Sequence, residues 1–201
     1  MFDGMTTIVD SLPFVPGARL RAGDTFVPRD LPTLAGGIVR VPDPRKLIHL
    51  QMRRYAGCPI CSLHLRSFVR RKDDLDRAGV REVAVFHSSA EDLRKVHAEL
   101  PFDVVPDPGR ELYAALGVKT SPLALFHPRG LLAAVCAAFS RASAAPSAGV
   151  GDGPFGLPAD FLVAAHGRVL AAKYGVHADD HWSIDEVLAL VDGTTASEVR
   201  A

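Results

Sequence analysis

Apolar positions along this chain fall into short runs, and the spacing within them changes from run to run. Leu47-Ile48-His49-Leu50-Gln51-Met52 is brief and bounded by P-D-P-R-K and R-R-Y-A-G, which predicts a buried strand. From Pro59 onward, Leu63, Leu65, Phe68, Val69 and Leu75 recur at helical spacing until Gly79. Proline at the first helical position and glycine past the last are the expected punctuation of a helix. A second buried strand is read at 82–87, followed by Ser88 and, three residues on, Glu91. That pair reads as a capping box opening a helix over 90–100. A short strand at 102–105 and a helix over 110–116, closed by Gly117, complete an alternation that predicts an α/β core with a parallel sheet.

The rhythm breaks over 119–154, which is rich in Ala, Ser, Gly and Pro and holds one apolar helical piece around 131–142. It reads as an insertion with a Gly-rich exit, G-V-G-D-G-P. Residues 159–164 and 168–172 flank the turn His166-Gly167 and predict a β-hairpin. Ser183 opens a last helix over 184–191, with Asp185 and Glu186 in its favourable first turn. The pattern divides the chain into a lead-in (1–22), one domain (23–193, insertion included) and a tail (194–201), without an internal repeat.

Composition narrows the function classes. Hydrophobic residues at 48% and charged residues at 23% over 201 positions describe one globular domain with a full core. Basic and acidic residues balance at 23 each, so no global field favours nucleic acid or a membrane surface. The run Arg70-Arg71-Lys72-Asp73-Asp74 reads as a solvated helix face. The N-terminus has no basic start ahead of a long apolar run, and the apolar run 131–139 is too short to span a bilayer. The expected compartment is a reducing cytoplasm, where a close cysteine pair is more often catalytic or metal-binding than a static staple.

Two of the three cysteines, Cys58 and Cys61, stand in G-C-P-I-C-S-L-H at a strand-to-helix junction. A helix N-terminus favours negative charge, so Cys58 is expected to hold a thiolate more readily than a free cysteine. Cys61 follows one turn later, within reach of a disulfide after small adjustment. Zinc usually wants four ligands; His64 offers a third, and no fourth is evident, so no metal is expected. Covalent haem attachment needs histidine directly after the second cysteine, and Ser62 is there. Cys136, in A-A-V-C-A-A-F, reads as a small buried hydrophobe. The stretch His177-Ala178-Asp179-Asp180-His181 reads as a polar loop before the last helix, and Tyr174 and Trp182 as packing on the sheet edge.

A strand running into C-x-x-C, a βα unit, then G-L-P-A-D-F-L-V with a Gly167-Arg168-Val169 hairpin resembles the thioredoxin fold. The resemblance implies a central mixed sheet flanked by helices, with the inserted helical segment before the C-terminal hairpin. It also implies a cis-proline facing the cysteines, and Pro158 stands at that position. Within the fold, A-G-D-T-F-V-P, L-I-H-L-Q-M and G-C-P-I-C-S-L-H-L resemble the peroxiredoxin-like branch of the alkyl hydroperoxide reductase/thiol-specific antioxidant (AhpC/TSA) family, over about 21–191. The family resemblance implies Cys58 as peroxidatic and Cys61 as resolving cysteine, with no bound cofactor. Its substrates would be hydroperoxides or disulfides, and its reductant a thiol system such as thioredoxin or glutathione.

Two positions depart from the family pattern. Tyr55 replaces the threonine or serine three residues before the peroxidatic cysteine, and Pro158 stands where an activating arginine is usual. Tyr55, Arg53 and Arg54 are therefore the candidates for activating the thiolate, and the departures draw the reading toward thiol–disulfide exchange. The rival readings are a disulfide oxidoreductase without peroxidase activity and a non-catalytic binding module. The insertion is a candidate contact for a homodimer.

Overall fold

The computed structural model describes residues 17–121 and 156–198. Five strands form its central sheet, in the order β5 (Asp103–Pro106), β4 (Val80–Phe86), β3 (Leu47–Arg53), β6 (Ala159–Val163), β7 (Val169–Tyr174). Strands β3, β4 and β5 run parallel, whereas β6 pairs antiparallel with both β3 and β7. The sheet is thus mixed, and the parallel core expected from strand–helix alternation occupies its first half.

Helices α1 (Pro59–Arg70), α2 (Lys72–Arg77), α3 (Ala90–His97) and α5 (Ile184–Glu198) supply the apolar side chains packed on one face. Helix α4 (Glu111–Ala115) and a hairpin of β1 (Arg29–Pro32) and β2 (Ile38–Val41) cover the other. Alternation along β3 drives this layering: Ile48, Leu50 and Met52 enter the core under α4 and the hairpin. Each such side chain, fully buried, contributes about 1.5–3 kcal/mol.

Several local expectations shift. The helix predicted from Pro59 to Gly79 breaks at Arg71, whose φ of −118° leaves the helical region. Its guanidinium instead ties Asp74 to Asp185. The capping box predicted from Ser88 and Glu91 is replaced by a cap one residue later: Ser89 Oγ accepts the Asp92 amide at 3.1 Å, and Ser88 is released for another task. Gly117 closes α4 as expected, with a φ of +65°; a Cβ there would come 2.8 Å from the Gly17 carbonyl. At Ser183 the capping box with Glu186 is present, and α5 continues past the predicted end at 191 to Glu198.

The β1–β2 hairpin was not expected: each strand has four residues, and Pro32 closes the first. The apolar piece at 131–142, Cys136 and most of the insertion lie outside the described residues. No helix among those described is long and apolar enough to cross a membrane.

Candidate redox site

At the end of β3 the chain turns over the sheet and enters α1. The Cys58 amide donates to the Tyr55 carbonyl at 3.1 Å, and the Ala56 amide donates to Ser88 Oγ at 2.9 Å. His97 Nε2 meets the Ala56 carbonyl at 2.9 Å. Three hydrogen bonds therefore pin the loop before the helix. Cys58 is the N-cap, and its sulfur accepts the Cys61 amide at 3.4 Å where a serine or aspartate oxygen would ordinarily act. Pro59 opens the helix as predicted.

The sulfurs of Cys58 and Cys61 stand 2.8 Å apart, both as free thiols. Arg54 places Nη1 3.6 Å from Cys58 Sγ. Both cysteines are 0% exposed, so the helix start that carries Cys58 is enclosed. Burial raises both thiols. For Cys61 the hydrogen bond with Cys58 and the charges of Arg54 and Arg53 outweigh burial and bring it down to about 7. Cys58 is pushed well up by burial, by the hydrogen bond with Cys61 and by that neighbour's charge.

The expectation that Cys58 holds a thiolate more readily than a free cysteine is thus corrected. The first proton leaves the pair near neutrality, and the second is held much more tightly. The Cys61 amide and the Arg54 side chain both meet Cys58 Sγ, so charge that passes to that sulfur is met by two donors.

Arg53 and Arg54 are both buried, at 0% and 3% exposure, so neither is solvated. Arg54 reaches the sulfurs. Arg53 points along the helix-covered face of the sheet, where Nη2 meets Asp160 Oδ1 at 2.8 Å and Nε donates to Gln51 Oε1 at 2.6 Å. On the same row His49 stands between two carboxylates, Nδ1 2.6 Å from Glu82 and Nε2 3.4 Å from Asp160. Against burial, these carboxylates raise His49 to about 9. Arg53 and His49 draw Asp160 down to about 2, also against burial. Two cations and two anions therefore balance in the interior.

Tyr55 is raised by burial and by the charge of Cys58. Pro158 lies one residue beyond the Met52–Ala159 pair, level with Arg53, and its carbonyl accepts the Gly175 amide at 2.9 Å. The expected cis bond is not there: among the described residues the cis peptide is Val41–Pro42. Pro158 instead enters β6 on a trans bond and continues the pairing with β7. The loop over 177–181 also differs from expectation. His177 and His181 are buried, and the His181 ring lies 4.1 Å from that of His64. Trp182 packs toward His49, at 5.9 Å between rings, rather than at the sheet edge. Among the described residues no group of three or more His, Cys, Asp or Glu side chains is arranged to hold a metal.

His49, Gln51, Glu82, His97 and Asp160 were not singled out from the sequence, and Ser88 was read only as a helix cap. The signal for the first two was present: polar residues alternate with apolar ones through β3, at 49, 51 and 53. Alternation normally marks a face open to water, whereas this face lies under α1.

The mixed five-stranded sheet with C-x-x-C at the start of α1 defines a thioredoxin-like protein. The profile of the AhpC/TSA antioxidant enzyme family matches residues 67–177, more than half of the chain, and the chain belongs to that family. The match begins after Cys61, so it leaves the two cysteines to be judged by their geometry.

Solved structures of similar fold include the peroxidoxin BcpB from Mycobacterium tuberculosis, at 16% identity and a TM-score of 0.63, covering 87% of this chain and 98% of that one. Mycobacterium tuberculosis AhpC gives 17% and 0.61, covering 90% and 96%. A Chlorobium tepidum protein assigned as a thiol:disulfide interchange protein DsbE gives 20% and 0.56, covering 86% and 99%. At these identities the likeness establishes the fold. No curated protein matches the sequence.

Proposed function

We propose that the protein is a thiol-dependent oxidoreductase of peroxiredoxin type, cycling Cys58 and Cys61 between dithiol and disulfide. The observation that carries this reading is the 2.8 Å separation of two free cysteine sulfurs with the Arg54 guanidinium beside them. Closing that gap to a bond of about 2.05 Å needs only a small shift of the helix start.

With a hydroperoxide, the Cys58 thiolate attacks the terminal oxygen and expels an alkoxide, which takes a proton. Cys61, once deprotonated, attacks the resulting sulfenic sulfur. Hydroxide leaves, takes a proton and departs as water, and the disulfide remains. With a disulfide substrate, the same attack expels a thiolate and Cys61 resolves the mixed disulfide. A thiol donor, such as a thioredoxin or glutathione system, returns two electrons. Tyr55 in place of threonine, and the absence of arginine at position 158, favour the disulfide branch as a second reading.

Stopped-flow reaction of the reduced protein with hydrogen peroxide, beside an insulin-reduction assay, separates the branches. Peroxide reactivity well above that of free cysteine is the expected result. A rate no faster than free cysteine, with insulin reduced, leaves only thiol–disulfide exchange. Mass mapping after peroxide should find a 58–61 disulfide, and a sulfenic acid at 58 in Cys61→Ser. Failure of both assays in a folded protein rejects the dithiol cycle.

A further inference from the structure

A cavity of about 390 Å³ that the redox chemistry does not use lies at the carboxyl end of β4. It lies between α4 and the bridge joining Thr120 to Gly156. His87, Arg110 and Lys119 supply nitrogen groups to its wall, Tyr113 and Val118 supply apolar surface, and none of the described residues lining it is a carboxylate. No ion pair joins Arg110 or Lys119 to an acidic residue among those described.

His87 is 1% exposed, yet neither ring nitrogen has a hydrogen-bond partner in another residue. Folded interiors seldom leave such a group unmatched, and those that do invite a ligand or ion. A Cβ on Gly156 would come within 2.5 Å of His87 Nε2, so the glycine keeps room for the ring. Burial, with the charges of Arg110 and Arg54, holds His87 down to about 4, leaving a neutral imidazole that can donate one N–H at neutral pH.

The cavity adjoins the cysteine loop. The His87 amide donates to the Arg54 carbonyl at 3.3 Å, and its ring lies 6.5 Å from that of Tyr55. Tyr113, 5.6 Å from His87, shares its hydroxyl between the carbonyls of Arg53 and Val85. We propose that this cavity recognises an organic anion, a carboxylate on an apolar body, as the substrate that the neighbouring cysteines reduce. Arg110 and Lys119 supply charge, His87 a hydrogen bond, and Tyr113 and Val118 the apolar wall. The inference rests on the dithiol reading for its chemistry but not for its binding.

Paired aromatic disulfides test it. In either, the Cys58 thiolate bonds to one sulfur and expels the other as a thiolate. Cys61 then releases its proton to water, bonds to Cys58 and expels the second thiolate, so the protein loses two electrons and the reagent gains them. Dithiobis(nitrobenzoate) carries two carboxylates and dithiodipyridine carries none. With rates normalised to free cysteine, the native protein should prefer the anionic reagent by about tenfold. The preference should fall in Arg110→Asn/Lys119→Ala and in high salt.

Should the double variant fail to fold, Lys119→Glu at its exposed position should lower the preference by itself. A preference unchanged in the folded variants overturns the proposal. If neither reagent outpaces its reaction with free cysteine, the dithiol reading fails, and binding is judged separately. In Cys58→Ser/Cys61→Ser protein, millimolar nitrobenzoate should move the His87 imidazole resonance, and less so with Lys119→Glu. A stationary resonance overturns the site.

Discussion

Cys58 does two jobs with one atom. Its sulfur caps α1 and accepts the Arg54 contact, so the groups that hold the helix start also set the acidity of the pair. Arg54→Met removes that cation from beside the sulfurs. The midpoint of iodoacetamide reactivity against pH should rise from about 7 by roughly one unit, as expected when a neighbouring opposite charge is lost. An unmoved midpoint would mean that the helix start and Arg53 suffice. Ser88, freed by the one-residue shift of the cap, holds the Ala56 amide at 2.9 Å. Ser88→Ala should cost about 1 kcal/mol in denaturant unfolding and speed alkylation of the pair by loosening its loop.

At the level of single elements, β3 is the informative one. Its apolar face was legible, as were the C-x-x-C, the proline that starts α1, the glycine that stops α4 and the hairpin turn at Gly167. All of these are set by local chemistry, which a sequence displays directly. The balanced row of His49, Arg53, Glu82 and Asp160 was not legible. It joins residues from three strands, and only the register of β3 with β4 and β6 brings them together. The burial of Cys58 was not legible for the same reason, since the cluster that encloses it includes Ala84, Phe86, Leu93 and Ala178, all distant in sequence.

The row predicts non-additivity. Asp160→Asn leaves Arg53 buried without its carboxylate and should cost about 3–5 kcal/mol. Removing both charges, in Arg53→Met/Asp160→Leu, should cost less than the two single changes combined, as read by a double-mutant cycle of chemical denaturation. Additive losses would show that the two side chains act independently.

For the whole molecule, histidines decide the response to pH. Burial is the foremost influence lowering His64, His87, His97 and His181, so in acid the unfolded chain takes up protons that the folded one refuses. Stability should therefore fall as pH drops below 6.5. His49 acts in the opposite sense. Raised to about 9, it keeps a proton that the unfolded chain loses above 6.5, and its contribution disappears as pH climbs through 9. Each histidine changes stability by up to about 1.4 kcal/mol per pH unit.

The thiols offset the alkaline limb, because ionisation of the pair near 7 precedes that of unfolded cysteine. Thermal unfolding of Cys58→Ser/Cys61→Ser protein removes that offset and should show a maximum near pH 6.5, with decline on both sides. A profile rising steadily to pH 9 would contradict a protonated His49.

A sulfur that closes a helix also reports on its own bonding. Once joined to its neighbour, it carries no charge and accepts the residue-61 amide poorly. The first turn of the dithiol form should then exchange its amide deuterium slowly, and that of the oxidised form quickly. The electron count of the protein would be written into the fraying of a single turn, which a docking reductase could sense before any electron moves.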